Sequence, residues 1–197
     1  MITIVAFDIG IHHFAHAIIR ASECHWEILH LDCHDFEEHK KVSEIQMDQT
    51  FWSRFHLYLE GLDGLFEKCD VFLIERQLGF SKMVNYKCVQ MSAHVFSHLV
   101  LKYPEKKIIE YGAFEKTKAF GKKISKKSER KQWTTVFTKK MLAIQHDETS
   151  IGWIESFRKE DDVCDCVVMI LSFLKKNNFL FNENESMFFM QETVSSH

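Results

Sequence analysis

The pattern of apolar and polar positions predicts three short strands at the start of the chain. Residues 2–7, 14–20 and 25–31 are rich in β-branched and other apolar side chains, and each run is bounded by polar or turn-forming residues. The first run ends at Asp8, Ile9 and Gly10, where a strand would pass into a turn, and a polar turn at 21–24 joins the other two. We therefore expect a three-stranded antiparallel meander.

Helical and strand patterns alternate in the rest of the chain. Apolar side chains recur every three or four residues over 51–68, along 82–102, from about Ser128 and again from residue 159, as is typical of amphipathic helices. Short apolar runs at 69–76 and 106–111 predict two more strands, and the basic stretch before Ser128 is predicted to be a loop. The order βββ-α-β-α-β-α-α predicts an α/β fold with a mixed five-stranded sheet, in which parallel strands extend the meander and helices cover both faces.

Length and composition fit one globular domain. The chain has 197 residues, 46% of them hydrophobic, with no repeat or linker, so we predict a single domain over 1–180 and a phenylalanine-containing C-terminal tail over 181–197. No apolar run is long enough to cross a bilayer and no signal peptide is visible, so we expect no membrane partner. Six scattered cysteines without a CxxC pair predict reduced thiols and an intracellular location.

Positive charge is concentrated in one segment of a mildly acidic chain. The formal net charge is -3, but between residues 116 and 131 eight basic residues stand against one acidic residue, Glu129, a local charge of +7. Such a segment predicts a surface that binds phosphates, with a solvated loop as the alternative. The eight candidates are Lys116, Lys118, Lys122, Lys123, Lys126, Lys127, Arg130 and Lys131.

Four acidic residues are predicted to meet at one edge of the sheet. Asp8 ends the first strand, Glu75 ends the fourth, and Asp162 and Asp165 lie three residues apart at the start of the last long helix. If the first and fourth strands are parallel neighbours, their carboxyl ends share the edge where ligands bind in open α/β sheets. Asp162 also falls on the apolar face of its helix, where an ionised carboxylate is costly unless a cation meets it.

Gathered carboxylates indicate a divalent metal site. Four of them would repel one another, and Mg²⁺, with Mn²⁺ as a substitute, prefers oxygen ligands. Two such ions about 4 Å apart can activate a water molecule and stabilise the departing oxygen in phosphodiester cleavage. Each acid also has a simpler explanation as a turn cap, a salt-bridge partner or a first-turn complement to the helix dipole. We favour the metal site because three separate elements each place an acid at the same edge, and no organic cofactor is indicated.

The segments AFDIG, LIERQ and DDVCD resemble the signature segments of RuvC-type Holliday junction resolvases, members of the ribonuclease H-like superfamily. The resemblance is greatest to the resolvases of poxviruses and other large DNA viruses, and it covers roughly residues 2–176. It implies a ribonuclease H-like fold and a homodimeric, Mg²⁺-dependent endonuclease that resolves four-way DNA junctions by paired symmetric nicks. It also implies a site of action in the cytoplasm of an infected host cell.

The resemblance assigns roles to individual residues. The family's metal-binding carboxylates match Asp8, Glu75, Asp162 and Asp165. The family's spacing selects Asp162 over Asp161, and the family's lysine ahead of the final acidic pair best matches Lys131. Viral relatives tend to carry a lysine–asparagine pair after DIG, where this chain has His12 and His13, so the resemblance assigns no contacts to that loop.

Four other functions fit parts of the sequence. A zinc site is conceivable among the histidines and cysteines of residues 24–34, but their spacing matches no structural zinc pattern, and surface and turn histidines are the default. Asp-x-Gly before a hairpin also begins the phosphate loop of sugar kinases and actin-like ATPases, which close two such domains around a nucleotide. A non-catalytic module for branched DNA would keep the lysines without needing the acids. Another ribonuclease H-like nuclease, acting on a non-junction substrate, is the nearest enzymatic alternative.

Overall fold

The protein is built on a five-stranded mixed sheet with helices on both faces. The structure, a computed structural model, describes residues 1–77, 85–179 and 181–194, without the side chains of 189–194. The strands are β1 (Ile2–Asp8), β2 (Phe14–Ser22), β3 (His25–His34), β4 (Val71–Glu75) and β5 (Lys107–Tyr111). The helices are α1 (Gln49–Gly61), α2 (Asp63–Phe66), α3 (Tyr86–Lys102), α4 (Ala113–Lys118), α5 (Lys127–Ile144), α6 (Glu148–Glu155), α7 (Glu160–Lys176) and α8 (Glu183–Val194).

The sheet has the strand order β3-β2-β1-β4-β5, which confirms the predicted meander and its parallel extension. β1 is antiparallel to β2 and parallel to β4, and β4 is parallel to β5. Phe7 of β1 pairs with Ile74 of β4, so Asp8 and Glu75, the next residues, end the two strands side by side. The predicted parallel pairing that brings these two acids to one edge is therefore confirmed.

Side-chain alternation along the strands decides which face the two acids occupy. Ala6 and Leu73 belong to the core beneath α7, whereas Phe7 belongs to the core on the opposite face, beneath α1 and α3. Because successive side chains in a strand point to opposite faces, Asp8 and Glu75, each two residues further on, lie on the α7 face. The strand period thus directs both carboxylates towards the helix that carries the other two acids.

Helix α7 is buried along most of its length, from Asp162 to Leu174. It packs against β1 and β2 on one side and against α4, α5 and α6 on the other, which explains why nearly all its faces are apolar. Glu160 and Asp161 in its first turn complement the helix dipole. Asp162 and Asp165 are different, because each is only 4% exposed and carries a carboxylate into the interior. Across the described residues, no helix combines the length and apolarity that a membrane span requires.

Several element boundaries differ from the sequence predictions. The predicted helix over 51–68 is divided into α1 and α2 near Leu62, and α6 was not predicted. The predicted loop before Ser128 contains helix α4, which is followed by Phe120, whose ring lies 4.5 Å from that of Phe137. The lysine-rich composition of this segment conceals its short apolar face. The predicted helix over 82–102 is α3 from Tyr86 onwards, and residues 82–84 lie outside the described part of the chain.

The C-terminal segment packs on the domain through a buried acid. Glu185 of α8 is fully buried and accepts hydrogen bonds from the Trp26 indole at 2.8 Å and the Gln145 amide at 2.6 Å. Phe181 and Phe188 pack against the core beneath α7. Residues beyond 180 thus contact the main body directly, and the predicted domain boundary at 180 stays a prediction.

A buried histidine in β2 is expected to make the stability of the protein depend on pH. His16 of β2 is fully buried, and its ring stacks on that of His30 at 5.0 Å. Burial, and then the neighbouring His30, lower the pKa of His16 from 6.5 to about 3, against the opposing effect of Asp32, while His34 lowers it further. The Tyr58 hydroxyl lies 3.4 Å from its Nδ1. The imidazole is therefore neutral in the folded protein at neutral pH.

We expect the free energy of unfolding to fall between pH 7 and pH 5. The unfolded chain protonates this imidazole below about pH 6.5, whereas the folded protein does so only near pH 3, so acidification favours the unfolded state. For one such group the loss over this interval is about 2 kcal/mol. Urea unfolding at both pH values should show a shallower pH dependence for His16→Leu than for the native protein, and an unchanged one for His25→Leu, which alters an exposed residue. Equal slopes for the native protein and His16→Leu would contradict this assignment.

Candidate metal and nucleic-acid site

Three of the four predicted acids gather around one buried lysine. The side chains of Asp8 and Glu75 are hydrogen-bonded to each other at the ends of β1 and β4. Lys116 of α4 donates from Nζ to Glu75 Oε1 at 2.9 Å and to Asp165 Oδ2 at 3.1 Å. The Thr134 hydroxyl donates to Asp165 Oδ1 at 2.6 Å and fixes that carboxylate from the α5 side. The structure therefore brings together acids from β1, β4 and α7, and their role as metal ligands stays a prediction.

The charges in this cluster are strongly interdependent. Burial and the neighbouring Glu75 raise the pKa of Asp8 well above its usual value. Burial also opposes ionisation of Glu75, but Lys116 and the hydrogen bond with Asp8 outweigh it, so the pKa of Glu75 is lowered. The pKa of Lys116 is raised, because its carboxylate partners outweigh the desolvation that opposes its charge. Without a metal ion, burial and mutual repulsion therefore favour a proton shared between Asp8 and Glu75, and Lys116 balances the remaining charge.

The burial of Lys116 corrects its predicted role. The side chain is 0% exposed and is enclosed between two carboxylates. The prediction that Lys116 belongs to the phosphate-binding surface is wrong, because a fully buried ammonium group cannot meet DNA. The sequence carried a weak signal for this burial. Lys116 lies four residues before the buried Phe120, which is the spacing of side chains on one face of a helix.

The fourth acid, Asp162, lies in a separate environment. Its Oδ1 accepts a short hydrogen bond from Lys131 of α5, which also donates to Asp161 Oδ2 at 2.5 Å. Desolvation opposes the charge of Lys131, but these two hydrogen bonds raise its pKa. Among the described residues, Oδ2 of Asp162 has no hydrogen-bond partner, and Nδ1 of His13 lies 4.0 Å from it. Lys131 thus contacts two acids in the first turn of α7, and its part in catalysis stays a prediction.

Two adjoining clefts open onto the acids, with volumes of about 280 and 260 Å³. Glu75 and Asp165 line the first, and Asp162 lines the second. The side chains that line both are Asp8, Asn85, Lys127 and Lys131. Because Asp8 is common to the two clefts, the four acids border one continuous depression at the carboxyl ends of β1 and β4.

Basic side chains surround this depression. Of the predicted basic segment, Lys127, Arg130 and Lys131 line it, whereas four others are not among the lining residues: Lys118, Lys122, Lys123 and Lys126. Sequence reasoning missed two basic residues that do line it, Arg76 and Lys159. Their positions carried a signal, because Arg76 directly follows the acid that ends β4 and Lys159 directly precedes α7.

The turn after β1 depends on a close backbone approach. A Cβ atom at Gly10 would lie 2.8 Å from the carbonyl oxygen of His13, so only glycine fits without a shift of the backbone. His12 is held by Asp35, with 3.0 Å between Nδ1 and Oδ1. This turn places His13 beside Asp162.

The donor set fits a hard divalent cation. All four predicted ligands are carboxylates, which supply the oxygen atoms that Mg²⁺ prefers. A cation would offset the repulsion from Glu75 that raises the pKa of Asp8, and within the described part of the chain the buried Oδ2 of Asp162 has no hydrogen-bond partner. The ammonium group of Lys116 already balances part of the negative charge. These features identify the edge as a candidate metal centre.

Comparison with solved structures defines the class of fold. The chain matches RuvC of Thermus thermophilus with a TM-score of 0.59 and 13% identity, over 89% of this chain and 97% of that one. It matches the yeast mitochondrial Holliday junction resolvase with a TM-score of 0.60 and 19% identity, over 95% and 83%. For the fowlpox virus resolvase, solved with its substrate Holliday junction DNA, the TM-score is 0.55 and the identity 17%, over 89% and 99%. The protein therefore has the ribonuclease H-like fold of the RuvC-type resolvases.

Sequence comparison gives a narrower match to a viral protein. The chain is 31% identical over 109 residues to uncharacterized protein 97L of Invertebrate iridescent virus 3. The match covers 55% of this chain and 49% of the viral protein, so it spans about half the length of that relative. No family model matches the chain.

Proposed function

We propose that the protein is a Holliday junction resolvase, a metal-dependent endonuclease that cuts four-way DNA junctions by paired symmetric nicks. The observation that carries the proposal is the convergence of Asp8, Glu75 and Asp165 at one sheet edge, with Asp162 on the same depression. The fold supports it, because three resolvases share that fold, and the fowlpox protein was solved with junction DNA.

The four acids would hold the metal, with Mg²⁺ as the expected ion and Mn²⁺ as a substitute. When bound, the cations would activate a water molecule for attack on the phosphodiester and stabilise the departing oxygen. Asp8 and Glu75 must release their shared proton to present two ionised carboxylates. Lys116 would keep Glu75 and Asp165 in place through its two hydrogen bonds. The number of cations, two in the expected mechanism, stays a prediction.

Lysine and arginine side chains would position the DNA backbone. Lys127 and Arg130 line the cleft beside Glu75, where a phosphate approaching the acids would pass them. Lys131, already beside Asp161 and Asp162, would neutralise negative charge that develops on the phosphate. These contacts carry no sequence information, which suits an enzyme that recognises a branched shape.

The double variant Lys127→Gln/Arg130→Gln should bind junction DNA with a weaker dependence on salt. Each lost phosphate contact makes the negative slope of log K against log salt shallower by about 0.9, so the pair should reduce its magnitude by about 2. Fluorescence anisotropy over a salt series, without Mg²⁺, measures this slope. A matched control is Lys68→Gln/Lys107→Gln. It removes the same charge at the amino ends of β4 and β5, away from the edge that carries the acids. A slope that is the same in both double variants would exclude Lys127 and Arg130 as phosphate contacts.

Paired nicks on two symmetric strands require two active sites, so we also propose a homodimer. Helix α3 offers a partly apolar outer face, on which Phe96 and Val100 are each 40% exposed. The half-length match to a protein of Invertebrate iridescent virus 3 supports a viral setting, and the infected host cytoplasm is the proposed site of action.

Cleavage of a synthetic four-way junction tests the proposal. The junction should be cut in Mg²⁺ and left intact in EDTA, while a linear duplex and an RNA–DNA hybrid of the same sequence should resist cleavage. Preference for the hybrid or the duplex would identify another ribonuclease H-like nuclease. Tight junction binding with no cleavage in Mg²⁺ or Mn²⁺ would identify a non-catalytic DNA-binding module, and ATP turnover would favour the kinase alternative.

A further inference from the structure

A second set of ligand atoms lies beside the candidate active site and shares one acid with it. His13, Cys33 and Asp162 each offer one ligand atom, and these three atoms all lie within 4.8 Å of one another. The residues come from the β1–β2 turn, from β3 and from α7. We infer that they form a binding site for a transition-metal ion of the zinc class.

The strongest observation is the buried oxygen of Asp162. The residue is 4% exposed, Lys131 occupies its Oδ1, and its Oδ2 has no hydrogen-bond partner in the described part of the chain. A buried acceptor without a partner destabilises the folded state, so a cation at Oδ2 would satisfy an otherwise unmet interaction. His13 Nδ1 is 4.0 Å from that oxygen, and the close turn at Gly10 places His13 there.

The donor types select the metal. A thiolate, an imidazole and a carboxylate are ligands of Zn²⁺ and similar ions, whereas Mg²⁺ takes oxygen ligands. Tetrahedral zinc, with bonds of about 2.0–2.3 Å, needs its ligand atoms closer together than 4.8 Å. The three ligand atoms must therefore move closer together on binding, and the side chain of His13, which is 42% exposed, is not enclosed by the core. Three protein ligands leave a fourth position for water.

An opening gives the ion a path to the site. A cleft of about 200 Å³ is lined by His13 and Cys33, and its charged neighbours are of both signs. These neighbours are Asp35, Glu38, Arg158 and Lys159. Partial burial and then Asp162 raise the pKa of Cys33 to about 12, so this half-buried thiol is protonated in the metal-free protein. Binding would therefore release one proton from sulphur to solvent.

Because Asp162 belongs to both this site and the proposed Mg²⁺ site, metal binding here would affect cleavage. This consequence rests on the proposed nuclease function. An ion bound at Asp162 Oδ2 would engage a carboxylate that the proposed Mg²⁺ site also needs. We therefore expect Zn²⁺ to inhibit Mg²⁺-dependent junction cleavage through Cys33 and His13.

Cobalt(II) tests the site without any cleavage assay. Titration of the reduced, full-length protein with Co²⁺ should produce a thiolate-to-cobalt charge-transfer absorption in the near ultraviolet, which should saturate at one equivalent of Co²⁺. This absorption should be lost in Cys33→Ser and in His13→Ala, and retained in Cys24→Ser, which alters the exposed cysteine of the β2–β3 turn. Circular dichroism verifies that the variants are folded. Absence of the absorption in the native protein, or its persistence in Cys33→Ser, would overturn the site.

Zinc inhibition tests the coupling. Each variant is compared with its own rate in Mg²⁺ alone, and added Zn²⁺ should slow the native protein and Cys24→Ser but not Cys33→Ser. Equal inhibition of all three would overturn the shared role of Asp162. If the native protein cleaves no junction at all, the proposed function fails, and the cobalt titration alone still decides the metal site.

Discussion

Asp8→Asn should abolish Mg²⁺-dependent junction cleavage while leaving folding and junction binding intact. Burial and the neighbouring Glu75 raise the pKa of Asp8, which favours a hydrogen bond from a protonated Asp8 to Glu75 in the metal-free protein. The amide of asparagine can make the same donation, so the cluster should keep its structure. Asparagine cannot ionise, however, and the metal site would lose a negative ligand. If that ligand supplies about 4 kcal/mol of transition-state stabilisation, the rate falls by about 10³-fold.

Single-turnover cleavage and gel-shift binding, measured on the same preparations, separate the two effects. Binding is measured in EDTA, so that it does not depend on the metal. Glu67→Gln is the matched control, because it removes one carboxylate from an exposed position before β4, at the opposite end of the strand from Glu75. Cleavage by Asp8→Asn at the native rate would remove Asp8 from the mechanism.

Lys116→Met should destabilise the metal-free protein by about 3–5 kcal/mol. The substitution keeps most of the side-chain volume but leaves Glu75 and Asp165 without their shared cation. Loss of one partner from a buried ion pair is costly, because the remaining charge is neither solvated nor paired. Since a divalent cation would neutralise the same carboxylates, we expect Mg²⁺ to stabilise this variant more than it stabilises the native protein.

Urea unfolding in EDTA and in Mg²⁺ measures both effects. Lys118→Met, an exposed lysine two residues further along α4, is the control and should change stability by no more than about 0.5 kcal/mol. If Lys116→Met were as stable as Lys118→Met, the buried lysine would not be what holds the acid cluster together.

The predictable part of the site followed from strand periodicity and element order. The apolar runs ending at Asp8 and Glu75 define two strands, and their parallel pairing at one edge is confirmed. The face of each acid also follows from the two-residue period of a strand. Asp162 was expected on the inner side of its helix from its helical position, and it is buried there.

The unpredicted part depends on contacts that no local pattern encodes. The lysine run suggested a solvated surface, but Lys116 lies on the inner side of α4 and pairs with acids 41 and 49 residues away in sequence. His13 and Cys33 are brought near Asp162 by the turn after β1, the pairing of β2 with β3, and the packing of α7. Spacing rules applied within residues 24–34 could not find a ligand set distributed over three elements.

Anomalous diffraction from crystals soaked in Mn²⁺ measures most directly whether the acids at the ends of β1 and β4 hold a divalent cation. Native crystals should show a manganese peak in contact with the carboxylates of Asp8 and Glu75, and crystals of Asp8→Asn should show none at that position. Native crystals saturated with Mn²⁺ but without a peak at that edge, and with Asp8 still hydrogen-bonded to Glu75, would contradict the metal-dependent nuclease.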